Sequence, residues 1–227
     1  MVTLHYFYDP LCGWCYGASD IIHAAASIKD IPFVMHAGGM MQKQPITAAM
    51  RQFIIEHDKR IKLETGQIFG KGYTGGLLHN ATAWFDSYLP IRAILVAKSM
   101  GIAPLIMLDQ IQKAHYQQGR EIAQLDVLAD IAESQGLMRH TFIDKLNQCV
   151  EEMELHIKKS RQLMVLHGFS GFPTLALENN GHWFLINVRD FFRNAEKIVP
   201  YIQSIINNKD RDEVELSKQF CSLDGCV

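Results

Sequence analysis

Cys12-Gly13-Trp14-Cys15 constrains this chain more than any other stretch, because it lies where one kind of backbone gives way to another. Before it, VTLHYFY (residues 2–8) is rich in β-branched and aromatic residues and stops at Asp9-Pro10, the pattern of a short buried strand. After it, GASDIIHAAASI (17–28) repeats Ile21, Ala24, Ala25 and Ile28 at the spacing of one helix face, and IPFVMHAGG (31–39) reads as a second strand. The predicted unit is β-α-β with the two cysteines at the strand-to-helix turn. The spacing alone leaves three uses open: half a zinc site, a structural disulfide, or a thiol pair that exchanges electrons.

Between residues 42 and 165 strand signals almost vanish. PITAAMRQFIIEHDKRIK (45–62) predicts a helix with Pro45 close to its start and Thr47 as its cap. NATAWFDSYLPIRAILVAKSMG (80–101) predicts helix on both sides of a break at Pro90, with Trp84, Phe85 and Tyr88 on one core-facing side. LDVLADIAESQGL (125–137) has Asp126 placed as a cap, Val127, Leu128, Ile131 and Ala132 on one face, and Gly136 as the stop. GQIFGKGYTGG (66–76) lacks the spacing of a phosphate-binding loop and follows no strand, so it predicts a mobile loop at the edge of the helical block. Cys149, alone on a helical segment, reads as a buried small hydrophobe. Further on, FPTLALENNGHWFLINV (172–188) is two apolar runs around Asn179-Asn180-Gly181, a hairpin, and DFFRNAEKIVPYIQSI (190–205) closes with an amphipathic helix.

Composition removes several classes of function. A chain of 227 residues with 48% hydrophobic residues has material for a sizeable core. Its 22 Lys plus Arg against 24 Asp plus Glu give no footprint for nucleic acid or an anionic membrane. The apolar runs fall far short of the roughly 20 residues that span a bilayer. Met1 leads directly into the first strand without a secretory signal pattern, which gives a cytoplasmic expectation. Five cysteines are too few for a disulfide scaffold, so in a reducing cytosol a cysteine pair points to redox or metal chemistry.

The order β-α-β, helices, β-β-α is that of a thioredoxin fold with a large all-helical insertion between its halves, an α/β class. The sequence resembles the DsbA-like branch of the thioredoxin superfamily, closest to its FrnE-like, protein disulfide isomerase relatives. The resemblance rests on DPLCGWCYG, on GFSGFPTLAL (168–177), and on YQQGREIAQLDVLADIAESQGL (116–137). It implies a discontinuous thioredoxin-like domain over 1–41 and 166–206, a helical insertion over 42–165, and a polar tail over 207–227.

A thiol at a helix N-terminus is stabilised as thiolate by the helix dipole and unpaired N–H groups. On this reasoning Cys12 is the nucleophile with a lowered pKa, and Cys15, one turn further in, resolves the mixed disulfide. Gly13 and Trp14 tune the pair. Relatives with histidine before the second cysteine are more oxidising, and Trp14 stands there in this chain. The resemblance also implies a cis Phe172-Pro173 bond beside the dithiol, where Phe172, Pro173 and Trp14 bind an extended peptide in the manner of strand addition. Thioredoxins often carry a buried carboxylate six residues before the first cysteine, a position occupied here by Tyr6, which leaves His5 and Asp9 as the nearby ionisable candidates, with a satisfied strand histidine as the other reading of His5.

The tail ends in Cys221 and Cys226, read as a second redox pair that exchanges electrons with the first; four-cysteine zinc binding is the alternative, and spectator thiols a third reading. The expected function is a thiol-disulfide oxidoreductase or isomerase acting on protein or peptide thiols without a cofactor, served by glutathione or a thioredoxin system. A glutathione-dependent isomerase or transferase of kappa-class type shares the architecture, but those relatives typically carry serine in place of the cysteine pair.

Overall fold

The computed structural model describes residues 2–207. The chain runs β1 (Val2–Tyr8), α1 (Gly13–Gly17), α2 (Ser19–Ala26), β2 (Phe33–Ala37), β3 (Gln44–Pro45), α3 (Ala48–Thr65), β4 (Trp84–Phe85), α4 (Tyr88–Ser99), α5 (Pro104–Gln112), α6 (Leu125–Ser134), α7 (Arg139–Gln148), α8 (Val150–Leu166), β5 (Thr174–Asn179), β6 (His182–Ile186) and α9 (Ile198–Asn207). The expected order of β-α-β, helices and β-β-α is therefore present. Among the described residues no helix is long and apolar enough to cross a membrane.

The main sheet has the order β2-β1-β5-β6. β1 is parallel to β2, with Tyr6 opposite Met35, and antiparallel to β5, with Tyr6 opposite Leu175. Because side chains alternate along a strand, β1 feeds two cores. Leu4, Tyr6 and Tyr8 pack with Ile21, Ile22, Ile198 and Ile202 on one face. Phe7 packs with Met164 of α8, Phe169 and Ala176 on the other. The hairpin between β5 and β6 turns at Asn180 (φ 51°) and Gly181 (φ 85°), the left-handed pair that a tight two-residue turn requires.

In the helical block, Thr47 caps α3 by accepting from the Met50 N–H at 3.1 Å, and Gly136 follows α6 at φ 86°. Three expectations fail there for local reasons. Trp84 and Phe85 form a short strand against Pro45 and Gln44. The helix starts only after Asp86, whose carboxylate accepts from the N–H groups of Tyr88 (2.9 Å) and Leu89 (3.4 Å). Pro90 then falls in the first turn of α4, where its missing N–H costs nothing, so it does not break the helix. Asp126 lies inside the first turn of α6 rather than capping it, and its carboxylate pairs with Arg139 at 2.7 Å.

The glycine-rich stretch is packed rather than loose. It forms a π-helical turn over Gly72–Gly76 and buries Phe69 and Tyr73. The Gly70 N–H donates to the Tyr116 carbonyl at 2.9 Å, and a Cβ on Gly70 would stand 1.8 Å from the Gln117 carbonyl oxygen. Two backbones touch where any side chain would separate them. Gly70→Ala is therefore expected to destabilise the protein by about 2–3 kcal/mol through overpacking; an unchanged denaturant midpoint would show that this contact does not matter.

Candidate active site

β1 ends at Asp9, and the turn after it sets Cys12 as the N-cap of α1, with φ −77° and ψ 111°. The Cys15 N–H donates to the Cys12 Sγ at 3.3 Å. Both cysteines are free thiols and both are buried, Cys12 at 4% exposure and Cys15 at 1%. From the other half of the chain, the loop before β5 brings in Phe172-Pro173, joined by a cis bond. The Cys12 thiol donates to the Phe172 carbonyl at 3.3 Å. Gly38 makes room for this loop: a Cβ there would stand 1.8 Å from the Phe172 ring.

Asp9 ties the surroundings together. Its Oδ1 accepts from the Leu11 N–H at 2.9 Å and the Ser87 hydroxyl at 2.7 Å, and its Oδ2 accepts from the Met40 N–H at 2.6 Å. Burial pushes this carboxyl up to about 6, against the pull of those three donors and of Arg161. Arg161 in turn donates to the carbonyls of Gly38 (2.7 Å) and Gly39 (2.5 Å).

The electrostatics of the buried thiol run against the expectation of a lowered Cys12 pKa. Burial pushes the Cys12 thiol well up, and the adjoining Cys15 thiol and Asp9 push it further; the Cys15 N–H pulls the other way and does not win. The bond to Phe172 acts in the same direction as burial, since only the protonated sulfur can donate to a carbonyl. Cys12 does stand at the N-terminus of α1, and burial acts against the effect of that position. Tyr6, in the place of the thioredoxin carboxylate, is also held neutral, first by burial and then by the charge it would face on Cys15 and Cys12.

Other predicted site residues divide. Gly13 allows α3 to approach: a Cβ there would meet Ile61 Cδ1 at 2.7 Å and Asp58 Oδ1 at 3.1 Å. Trp14 is covered rather than open, stacked on Phe192 (5.9 Å between centroids) with the Arg189 guanidinium 4.7 Å and that of Arg60 5.8 Å from its centroid. His5 lies on the face of β1 away from the dithiol, where its Nδ1 meets His36 Nε2 at 2.9 Å and its Nε2 meets Glu178 at 3.1 Å. It is a satisfied strand histidine, and its expected tuning role has no contact to act through. Cys149 is buried, its thiol 3.6 Å from Glu152. Cys221 and Cys226 lie outside the described residues.

Sequence reasoning missed the groups on the insertion side. Asp58, Tyr73, His115 and Tyr116 line one recess with Cys12 and Gly13. Tyr116 reaches the cysteine loop directly, its hydroxyl donating to the Leu11 carbonyl at 2.7 Å. The clustered glycines of 66–76 were the available signal, since they allow the close approach that brings Tyr73 in.

A reduced thiol pair one helical turn apart, facing a loop carbonyl on a thioredoxin-like sheet, performs thiol-disulfide exchange. The chain is a thiol-disulfide oxidoreductase. It belongs to the family of the DSBA-like thioredoxin domain, whose model matches residues 3–197. Among solved structures, the cytosolic disulfide reductase DsbM from Pseudomonas aeruginosa is 39% identical, with a TM-score of 0.84 over 90% of this chain and 98% of that one. The structure of DsbM with GSH is 38% identical, with a TM-score of 0.83 over the same shares. A structure from Nitrosomonas europaea, 22% identical with a TM-score of 0.70 over 89% of this chain and 98% of that one, shares the fold. No curated protein matches the chain.

The burial of Cys12 makes a direct expectation. In the reduced protein, the rate of Cys12 alkylation should rise with a midpoint above the free-thiol value of about 8.5. A midpoint below that value would show that the helix N-terminus dominates after all.

Proposed function

We propose that this chain reduces or isomerises disulfides of proteins and peptides in the cytoplasm, with Cys12 attacking, Cys15 resolving, and glutathione as a thiol partner. The observation that carries the reading is the Cys12 thiol held against the Phe172 carbonyl at 3.3 Å. That contact holds the Cys12 thiol protonated at rest, and it gives a substrate a way to release it. An extended segment lying along Phe172-Pro173 donates its own N–H to the Phe172 carbonyl and takes the place of the thiol proton. Cys12 then attacks one substrate sulfur, a Cys12–substrate disulfide forms, and the proton from Cys12 passes to the first leaving thiol. Cys15 attacks Cys12 Sγ, its proton passes to the second leaving thiol, and the Cys12–Cys15 disulfide remains. Two thiols, such as two molecules of glutathione, return the pair to its starting state and leave as one disulfide.

Two further points support this reading. DsbM is named a cytosolic disulfide reductase and is 39% identical, and its structure with GSH joins glutathione to that protein. A strong oxidant draws its driving force from a stabilised thiolate in the reduced state, and here the Cys12 pKa is raised. The cysteine pair also separates the chain from serine-bearing kappa-class transferases.

Cys12→Ser should abolish reduction of insulin disulfides by glutathione. Cys15→Ser, challenged with glutathione disulfide, should stall with one glutathionyl group on Cys12, read by mass spectrometry. Wild-type turnover by Cys12→Ser, or a trapped adduct on Cys15 in the reciprocal variant alone, would reverse or remove these roles.

A further inference from the structure

On the insertion side of the dithiol, a recess of about 500 Å³, its open mouth included, lies beside Cys12 and Gly13. Much of its lining is apolar, including Leu11, Met40, Met41 and Ile54. One buried carboxyl, Asp58 of α3, interrupts that lining at 7% exposure. Its Oδ2 accepts from the Tyr73 hydroxyl at 2.9 Å. Its Oδ1 is turned to α1: it stands 3.1 Å from where a Cβ on Gly13, the residue after Cys12, would be, and it accepts no hydrogen bond among the described residues. Because Tyr73 occupies Oδ2, a proton on this carboxyl sits on Oδ1, the oxygen beside the dithiol turn.

Burial pushes the Asp58 carboxyl up to about 7, against the Tyr73 hydrogen bond that pulls it down. At neutral pH it therefore holds and gives up a proton with equal ease. The titratable groups around it do not compete for that task. His57, its neighbour on α3, has its pKa lowered by burial and by Arg60, so its protonated form is scarce at neutral pH. Burial lowers His115 to about 3 and keeps it neutral, and it holds Tyr73 and Tyr116 protonated. A thiolate is costly to form in this enclosure, as the raised Cys12 pKa shows. That cost falls on the sulfur that departs as well as on the one that attacks. Attack along the S–S axis drives charge onto the leaving sulfur, about 2 Å beyond the sulfur attacked and on the side away from Cys12. A thiolate departing into an apolar recess needs an acid.

We propose that Asp58 is the general acid of the first exchange, giving its Oδ1 proton to the substrate sulfur that leaves into this recess. The inference rests on the reading of Cys12 as the nucleophile and is independent of glutathione as the partner. The Cys12–substrate disulfide forms as the substrate S–S bond breaks, and the electron pair of that bond goes to the departing sulfur. Asp58 protonates this sulfur, so a neutral thiol leaves. The proton from Cys12 replaces the one that Asp58 gave up, and the carboxyl ends as it began. The proton of the attacking thiol thus reaches the leaving thiol by way of one buried carboxyl.

The test compares two uncharged disulfides of similar size, diethyl disulfide and bis(trifluoroethyl) disulfide, whose departing thiols differ in acidity. The more acidic thiol leaves faster unaided and has less need of an acid. The rate at which each disulfide forms an adduct on Cys12 is followed at neutral pH by mass spectrometry, in the full-length chain carrying Cys15→Ser so that the adduct persists. Adding Asp58→Asn, whose amide carbonyl still accepts from Tyr73, should slow the ethyl adduct by roughly 10- to 100-fold, at or below the lower end for general acid catalysis because the amide still donates a hydrogen bond to the departing sulfur. The trifluoroethyl adduct should slow by less than about threefold. Equal slowing of both adducts, or slowing of neither, overturns the role. The chain with Asp58 intact decides the matter even if Asp58→Asn fails to fold. Its preference for the trifluoroethyl disulfide should be smaller than that of N-acetylcysteine in solution, and an equal or larger preference overturns the role. No adduct on Cys12 with either disulfide overturns the Cys12 reading and the Asp58 role together, whereas the other failures leave Cys12 in place.

Discussion

Asp9 accepts hydrogen bonds from three separate stretches of chain: the cysteine turn through Leu11, the segment after β2 through Met40, and the start of α4 through Ser87. Each of these stretches forms a wall of the site. The carboxyl is fully buried and sits at the end of β1, the strand paired on both sides in the sheet. Three donors around one carboxylate hold turns that have no regular backbone ladder of their own. Losing that acceptor would leave buried N–H groups unpaired, at about 1–3 kcal/mol each. The second tie, Arg161 from α8 to the carbonyls of Gly38 and Gly39, fixes the same segment from the opposite side. With both in place, the Phe172 ring finds its space against Gly38, and the Phe172 carbonyl comes to the Cys12 sulfur.

The consequence is a dithiol site that favours neutral sulfur. Helix N-termini lower thiol pKa values when the thiol also meets water or a cation. Here Cys12 meets Tyr6, Tyr116 and Cys15 in an apolar enclosure, and its thiol donates a hydrogen bond to a carbonyl. Trp14, clamped between Phe192 and two guanidiniums, closes the outer side of α1. Reactivity then depends on a partner that displaces the Phe172 contact, which couples attack to substrate arrival.

Much of this was legible in the sequence where the signal is local. The cysteine pair at a strand-to-helix turn, the Asn180-Gly181 hairpin, the Thr47 cap and the Gly136 stop all depend on residues within a few positions of one another. Phe172-Pro173 was found only through the family resemblance, since nothing in the residues around it distinguishes this proline from any other. The failures are of two kinds. Trp84, Phe85 and Tyr88 satisfy a helical spacing, and only the Asp86 side chain, capping the next helix, decides that the first two form a strand. Asp58 lies on a helix full of charges, and it is met by Tyr73, which reaches it through the glycine contacts at residues 70 and 72. Whether His5 faced the dithiol depended on which face of β1 packs against α1, a matter of strand register rather than distance along the chain.

The central claim is that the site leaves a Cys12 thiolate unstabilised in the reduced pair, and so lacks the driving force of a strong oxidant. The reduction potential of Cys12 and Cys15, measured at pH 7 by equilibration with glutathione buffers, tests it most directly. The account predicts a value close to the about −270 mV of thioredoxin; a value near the about −120 mV of the strong oxidant DsbA would show that a stabilised thiolate governs the site and would contradict it.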